Sequence, residues 1–234
     1  MKDKTIKIFN LLFVLLVFFN LGNLFFIGFT YLGFDITSFD YTDMAYANML
    51  MNIIMGGLIL VTYGRILSKD WLSFRQDLKK NLMTCFNLFL LVFGIKVVAA
   101  IATSILAFLL GIDFIQSENQ DILDALAGAA PMMMLLSSVI FAPIIEETIF
   151  RMGFKQVFSR KYVFIIISGL VFGLMHIFPT DLSLIEALVQ GLVYVAMGLC
   201  LAWIYENKQN IYFVIIVHAF NNLFGMIVFF LLML

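Results

Sequence analysis

Long apolar stretches separated by short polar connections make up almost the whole chain. A helix needs about 20 mostly apolar residues to cross the roughly 30 Å hydrocarbon core of a bilayer. Seven stretches meet this requirement, near residues 8–32, 44–64, 81–110, 131–158, 162–178, 183–205 and 211–233. The pattern predicts an all-α fold, a polytopic membrane helix bundle of about seven transmembrane helices, with eight as the alternative.

The charges of the connections predict the direction in which the helices cross. Basic residues mark the cytoplasmic side of a membrane protein. They occur at the N-terminus and in every second connection: Lys2, Lys4, Lys7; Arg65, Lys69, Arg75, Lys79, Lys80; Arg151, Lys155, Arg160, Lys161; and Lys208. The other connections are acidic: Asp35, Asp40, Asp43; and Asp113, Glu118, Asp121, Asp124. This alternation predicts a cytoplasmic N-terminus, and an eighth crossing would break it.

Residues 69–80 mix charges with apolar side chains and fit either a short helix at the inner membrane interface or a charged loop. There is no internal repeat and no linker, so residues 1–234 are interpreted as one integral-membrane domain.

Composition narrows the class of protein further. Apolar residues make up 63% of the chain and charged residues 12%, which excludes an ordinary soluble domain. A net charge of −1 leaves no basic excess for binding nucleic acid. Cys85 and Cys200 lie in separate apolar runs, so they are interpreted as packing residues, as are Ser137, Ser138 and Ser168.

A few polar side chains fall inside the predicted spans, where they are costly and therefore functional candidates. They are Lys96, Glu146, Glu147, His176, His218 and Asn222. Glu146 lies fifteen residues before Lys161 and His176 fifteen residues after it, so two antiparallel helices bring them to one depth. His218 and Asn222 lie ten and fourteen residues beyond Lys208, which predicts that three helices converge on one polar layer.

Local spacing separates the two glutamates. Glu147 and Arg151 are spaced i, i+4, which favours an ion pair within one helix. Glu146 points about 100° away from that pair on an α-helix. Pro143 cannot donate to the carbonyl of Val139, so it is expected to loosen the helix just before the glutamates and to admit water.

Three short motifs carry the site candidates, namely Glu146-Glu147-x-x-x-Arg151, Phe172-x-x-x-His176 and His218-x-x-x-Asn222. In this order, each on its own predicted span, they resemble the signature motifs of the CPBP family. That family comprises the type II CAAX prenyl endopeptidases and bacterial relatives linked to bacteriocin processing and immunity, the Abi proteins. The resemblance covers about residues 131–230, the protease-like motif core.

The resemblance implies an intramembrane endopeptidase of multi-helical fold. By position, Glu146 is similar to the glutamate that activates water, and His176 to the histidine that helps to hold it. His218 and Asn222 match the pair that the family places at the oxyanion, a role that their donor groups can fill.

The rest of the first motif, Glu147 and Arg151, is present, but Met152 precedes Gly153 where many members have glycine at once. This departure is expected to affect packing rather than chemistry.

Other protease designs lack their motifs here. The sequence contains no His-Glu-x-x-His, no Gly-x-Gly-Asp and no Gly-x-Ser-x-Gly. Glu146, His176 and His218 would be the ligands if a zinc ion were bound, as two histidines and a carboxylate form catalytic zinc sites. Asn222 is a poor zinc ligand, and the resemblance implies water activated by glutamate, so no cofactor is expected and zinc is the alternative.

Three functions remain open from the sequence. The first is hydrolysis of membrane-associated or hydrophobic peptide substrates, including lipidated ones, by a multi-pass protein of the bacterial plasma membrane. The second is a proton-coupled transporter that would use Lys96, whose simpler role is a counter-charge to a carboxylate. The third is a non-catalytic immunity or partner-binding membrane protein.

Overall fold

The computed structural model describes residues 2–112, 118–178 and 182–232. Within these ranges the chain is helical and contains no β-strand, so the predicted all-α class is confirmed. The helices are α1 (Lys2–Tyr31), α2 (Tyr41–Phe74), α3 (Leu78–Leu110), α4 (Glu118–Ala129), α5 (Pro131–Val157), α6 (Lys161–Met175), α7 (Leu184–Lys208) and α8 (Ile211–Leu232). Short 3₁₀ turns lie at Ile36–Ser38 and Arg75–Asp77.

The helix surfaces are those of a membrane protein. Five helical stretches among the described residues are long and apolar enough to cross a bilayer, and one of them, Tyr41–Leu110, contains both α2 and α3. Large apolar side chains face outward, as shown by Val61 and Phe108 at 87% and 85% exposure, which fits contact with lipid. The chain is a multi-pass membrane protein, while the number of crossings and the cytoplasmic N-terminus stay predictions.

Each of the seven predicted spans corresponds to one helix, and α4 is the additional one. Its 12 residues extend only about 18 Å, which is shorter than the hydrocarbon core. Leu126 and Ala127 of α4 pack against Ala45 of α2 and Met134 of α5, so α4 covers one end of these helices. Asp113, part of the acidic connection before α4, lies outside the described residues.

Residues 69–80 are helical rather than a loop, but they belong to two longer helices instead of forming a separate short one. Residues 69–74 are the last turns of α2, and the Arg75–Asp77 turn leads directly into α3. The rings of Trp71 and Phe74 lie 5.1 and 6.0 Å from that of Tyr212 on α8. This aromatic packing, together with the absence of Gly and Pro, keeps the charged segment helical.

Asp70 joins the end of α2 to the start of α8. Its side-chain Oδ2 accepts a hydrogen bond from the Ile211 amide at 3.0 Å, and its backbone carbonyl accepts one from Asn210 Nδ2 at 2.8 Å. Asn210 Oδ1 in turn accepts from the Tyr212 amide at 3.0 Å. Because the first amides of a helix have no partner within the helix, these bonds fix where α8 begins and so how deep His218 lies.

Helices α6 and α7 approach closely because glycines line their contact. A Cβ atom at Gly169 would lie 2.8 Å from the Cα of Leu199, and one at Gly173 would lie 2.6 Å from the Cα of Val195. Small residues allow such close backbone contact between helices in membranes. The contact holds the two residues of the second motif, Phe172 and His176, against α7.

We expect Gly173→Ala to destabilise the protein by about 1–3 kcal/mol, because the added methyl group overlaps the α7 backbone. Gly94→Ala on α3 is the matched control, since a Cβ there meets nothing within 4 Å. Thermal unfolding in detergent should show a lower midpoint for Gly173→Ala and an unchanged or higher one for Gly94→Ala. Equal midpoints would contradict the proposed close packing.

Candidate active site

A buried ion pair lies at the centre of the candidate site. Glu147 and Arg151 on α5 are both fully buried, and Oε2 of the carboxylate accepts a hydrogen bond from Nε of the guanidinium at 2.8 Å. The ion pair predicted from the i, i+4 spacing is therefore confirmed. Two opposite charges removed from water together need further hydrogen bonds to offset their desolvation.

Arg151 obtains those bonds from α6. Its Nη1 atom donates to the Ser168 carbonyl at 3.2 Å and to the Ser168 hydroxyl at 2.8 Å, and that hydroxyl donates to the Phe150 carbonyl at 2.6 Å. The guanidinium also lies 4.5 Å from the ring centroid of Phe172. Ser168 is thus more than the packing residue that the sequence indicated, since it joins α5 to α6.

Glu147 obtains its second partner from α8. Its Oε1 atom lies 2.9 Å from Nδ1 of His218. A carboxylate can only accept, so Nδ1 of His218 carries a proton, and a neutral imidazole then has a lone pair on Nε2. Both oxygens of Glu147 are therefore occupied, one by Arg151 and one by His218.

Glu146 lies next to Glu147 in the sequence, but one of its oxygens is not occupied in the same way. Its side chain is 16% exposed, and within the described part of the chain its Oε2 atom is buried without a hydrogen-bond partner. That atom lies 4.0 Å from Nε2 of His218. The separation is too long for a direct hydrogen bond and short enough for one water molecule to bond both atoms. A buried acceptor left open in this way is typical of a functional group.

His176 is held by its own helix and by α7. Its Nδ1 atom lies 2.8 Å from the Phe172 carbonyl, and its ring stacks on that of Tyr194 at 5.2 Å with an interplanar angle of 14°. The Phe172 ring centroid lies 4.6 Å from that of His176 and 5.8 Å from that of His218. Phe172 therefore contacts both imidazoles.

Asn222 is anchored to an open carbonyl on α5. Residues Leu136–Phe141 form a π-helical segment, in which the Ala142 amide bonds the carbonyl of Ser137, five residues back. In this register the next residue, Pro143, would bond Ser138, but proline has no N–H. Nδ2 of Asn222 donates to the Ser138 carbonyl at 2.8 Å instead. The expected loosening of the helix before the glutamates is thus present as this π-helical segment. The carbonyl that accepts from α8 is that of Ser138, whereas the sequence indicated Val139.

Asn221 extends the site toward α3, and sequence reasoning missed it. Nζ of Lys96 donates to Oδ1 of Asn221 at 2.6 Å, and Nδ2 of Asn221 donates to Oδ1 of Asn222 at 2.9 Å. The interpretation of Lys96 as a counter-charge to a carboxylate was wrong, since its partner is an amide. Two adjacent asparagines inside an apolar span were the signal that could have revealed this contact.

Of the six predicted residues, three are directly bonded, a fourth lies beside them, and the other two are held by different contacts. Glu147, Arg151 and His218 are directly bonded, and Glu146 faces His218. Among the described residues, the hydrogen bonds of Asn222 go to Ser138 and Asn221 rather than to the glutamates or histidines. His176 reaches the others through the Phe172 ring.

The side chains named for the alternative zinc site are not clustered in the described part of the structure. In the part of the chain that the structure describes, no three His, Cys, Asp or Glu side chains are grouped closely enough to hold a metal ion. This holds for Glu146, His176 and His218 as they are placed.

Comparisons with known proteins point to the same region. Residues 128–224 match the family model described as Type II CAAX prenyl endopeptidase Rce1-like. This segment is therefore similar to that family model. The resemblance to the CPBP family that the three motifs indicated is thereby confirmed for the segment that carries them.

Two curated relatives are similar over about half of the chain. "Putative membrane peptidase YdiL" of Bacillus subtilis is 34% identical over 130 residues, which are 54% of this chain and 49% of that protein. "UPF0177 protein YvdC" of Lactococcus lactis is 32% identical over 114 residues, 48% of this chain and 41% of that protein. The chain thus spans at most about half the length of these relatives. No solved structure matches it.

The two neighbouring glutamates should differ sharply when each is replaced by glutamine. Glu147→Gln leaves the buried Arg151 without its counter-charge, so we expect a loss of about 3–5 kcal/mol in stability. Glu146→Gln removes no hydrogen bond found among the described residues and should cost less than about 1 kcal/mol. Thermal unfolding of the two variants in detergent measures this, and equal losses would contradict the assignment of the ion pair to Glu147.

Proposed function

We propose that this protein is an intramembrane endopeptidase that hydrolyses membrane-associated or hydrophobic peptides with water activated by Glu146. The observation that carries the proposal is the buried, unpartnered Oε2 atom of Glu146, 4.0 Å from Nε2 of His218. The Rce1-like match of residues 128–224 and the name of the Bacillus relative support a protease at the family level.

Glu146 is the better base of the two glutamates. A general base needs a free lone pair within reach of the water that it deprotonates. Both oxygens of Glu147 accept hydrogen bonds, from Arg151 and His218, whereas Oε2 of Glu146 accepts none among the described residues. In the proposed step Glu146 takes a proton from water, and the water oxygen bonds the peptide carbonyl carbon.

The histidines bind the attacking water, and Asn222 stabilises the negative charge that develops on the oxyanion. With its one proton on Nδ1, neutral His218 can accept from the attacking water through Nε2, and it can donate to an oxyanion only after Nε2 is protonated. Asn222 has a second N–H besides the one bonded to Ser138, and we assign that N–H to the oxyanion. His176 polarises the water, and the proton held by Glu146 then passes to the leaving nitrogen.

The substrate is proposed to be a peptide or protein that reaches the site through the lipid or from the cytoplasmic side of a bacterial plasma membrane. The name of the matched family suggests prenylated CAAX peptides as one class to test. We propose that no metal takes part, in keeping with the separation of the candidate ligands.

Comparative peptidomics of membranes tests the activity before any substrate has been identified. Cells that express the wild type should contain cleaved peptides that are absent with Glu146→Gln. Glu206→Gln is a matched control, because Glu206 is also partly buried but pairs with Lys155 away from the site. Identical peptide sets for the wild type and Glu146→Gln would overturn the proposal.

Purified variants test the individual roles on an internally quenched peptide that spans an identified cleavage site. Glu146→Gln and His176→Ala should abolish turnover while the folded protein still accumulates. Loss of one oxyanion donor costs about 2.7–4 kcal/mol, so Asn222→Ala should lower turnover at least about a hundredfold. Turnover retained by Glu146→Gln would remove the mechanism.

Treatment with the chelator 1,10-phenanthroline should leave turnover of the same peptide unchanged, because the proposed mechanism uses no metal ion. Inhibition that added Zn²⁺ reverses would show that a metal is required.

A further inference from the structure

We propose that Lys96 is a positioning residue for the oxyanion donor, acting on Asn222 through Asn221. This inference rests on the proposed function and adds a residue that the three motifs do not contain.

The observation is a one-directional chain of hydrogen bonds that crosses three helices. Nζ of Lys96 on α3 donates to Asn221, Asn221 donates to Asn222 on the same helix α8, and Asn222 donates to the Ser138 carbonyl on α5, at 2.6, 2.9 and 2.8 Å. An ammonium group can only donate and a carbonyl can only accept. Both ends therefore impose the same donor-to-acceptor direction. Neither side-chain amide can exchange the positions of its oxygen and nitrogen without losing hydrogen bonds.

This series of hydrogen bonds also begins at a positive charge that no ion pair among the described residues compensates. Lys96 lies in a predicted span and has no ion pair within the described part of the chain, although burying such a cation is costly. Hydrogen bonds in series polarise one another where the local dielectric is low. The cation at the start of the chain should therefore make Asn222 a stronger donor.

The gain from this polarisation would be largest in the transition state. An oxyanion forms only as water attacks, so a positive charge relayed through two amides stabilises the transition state more than bound substrate. Asn222 lies one helical turn from His218, which faces Glu146, so its donor end belongs to the same layer. The expected effect is on kcat rather than on KM.

Substitutions at Lys96 show how much of its effect on kcat comes from its charge and how much from its hydrogen bond. A hydrogen bond from a charged group is worth about 1.5–3 kcal/mol, so Lys96→Met should lower kcat by about tenfold or more, with KM changed less than about threefold. Lys96→Gln keeps a donor without charge and should be intermediate. Lys96→Arg keeps both and should stay within about threefold of the wild type. Lys80→Met, an exposed lysine on the same helix, is the matched control.

A double-mutant cycle with Asn222→Ala, on the same quenched peptide, decides whether Lys96 acts through Asn222. If it does, adding Lys96→Met to Asn222→Ala should lower kcat by no more than about twofold further. Independent, multiplying losses would overturn the inference, as would wild-type kcat in Lys96→Met. Failure of the proposed function would look different, because the wild type and Glu146→Gln would then cleave the peptide equally.

Discussion

The burial of one cation, Arg151, is the constraint on which the candidate site depends. A guanidinium removed from water inside a membrane bundle must be neutralised and hydrogen-bonded, or the helix that carries it would not pack. Glu147 supplies the charge, Ser168 on α6 supplies two acceptors, and the Phe172 ring covers one face. The second oxygen of Glu147 then binds Nδ1 of His218. The burial of Arg151 therefore also determines how α8 is held against α5 and in which direction that imidazole points.

Two adjacent, chemically identical side chains acquire different capacities from this arrangement. Glu147 is surrounded by donors and has no oxygen free to take a proton. Glu146, one residue earlier, retains an open acceptor near Nε2 of His218. Because both oxygens of Glu147 are occupied, Glu146 is the glutamate that we propose as the base. This division depends on contacts from other helices rather than on the Glu-Glu dipeptide itself.

The sequence could predict the parts of the structure that depend on local periodicity and spacing. The apolar stretches marked the long helices, and the i, i+4 rule marked the pair of Glu147 and Arg151. The bond from His218 to Glu147 could not be predicted, because it joins residues 71 positions apart and depends on side-chain reach. The partner of Lys96 was misjudged for a related reason. Charge complementarity suggested a carboxylate, whereas the side chain facing it from α8 is an amide.

The π-helical segment before the glutamates was equally hidden, because a helix with apolar residues on several faces reveals little of its period. Its effect can nevertheless be traced to one missing hydrogen atom. Proline at position 143 leaves the Ser138 carbonyl open, and Asn222 fills that position from α8. A residue with an amide hydrogen at position 143 would compete with Asn222 for the same carbonyl. The proline that interrupts α5 therefore also decides where the donor amide of α8 is held.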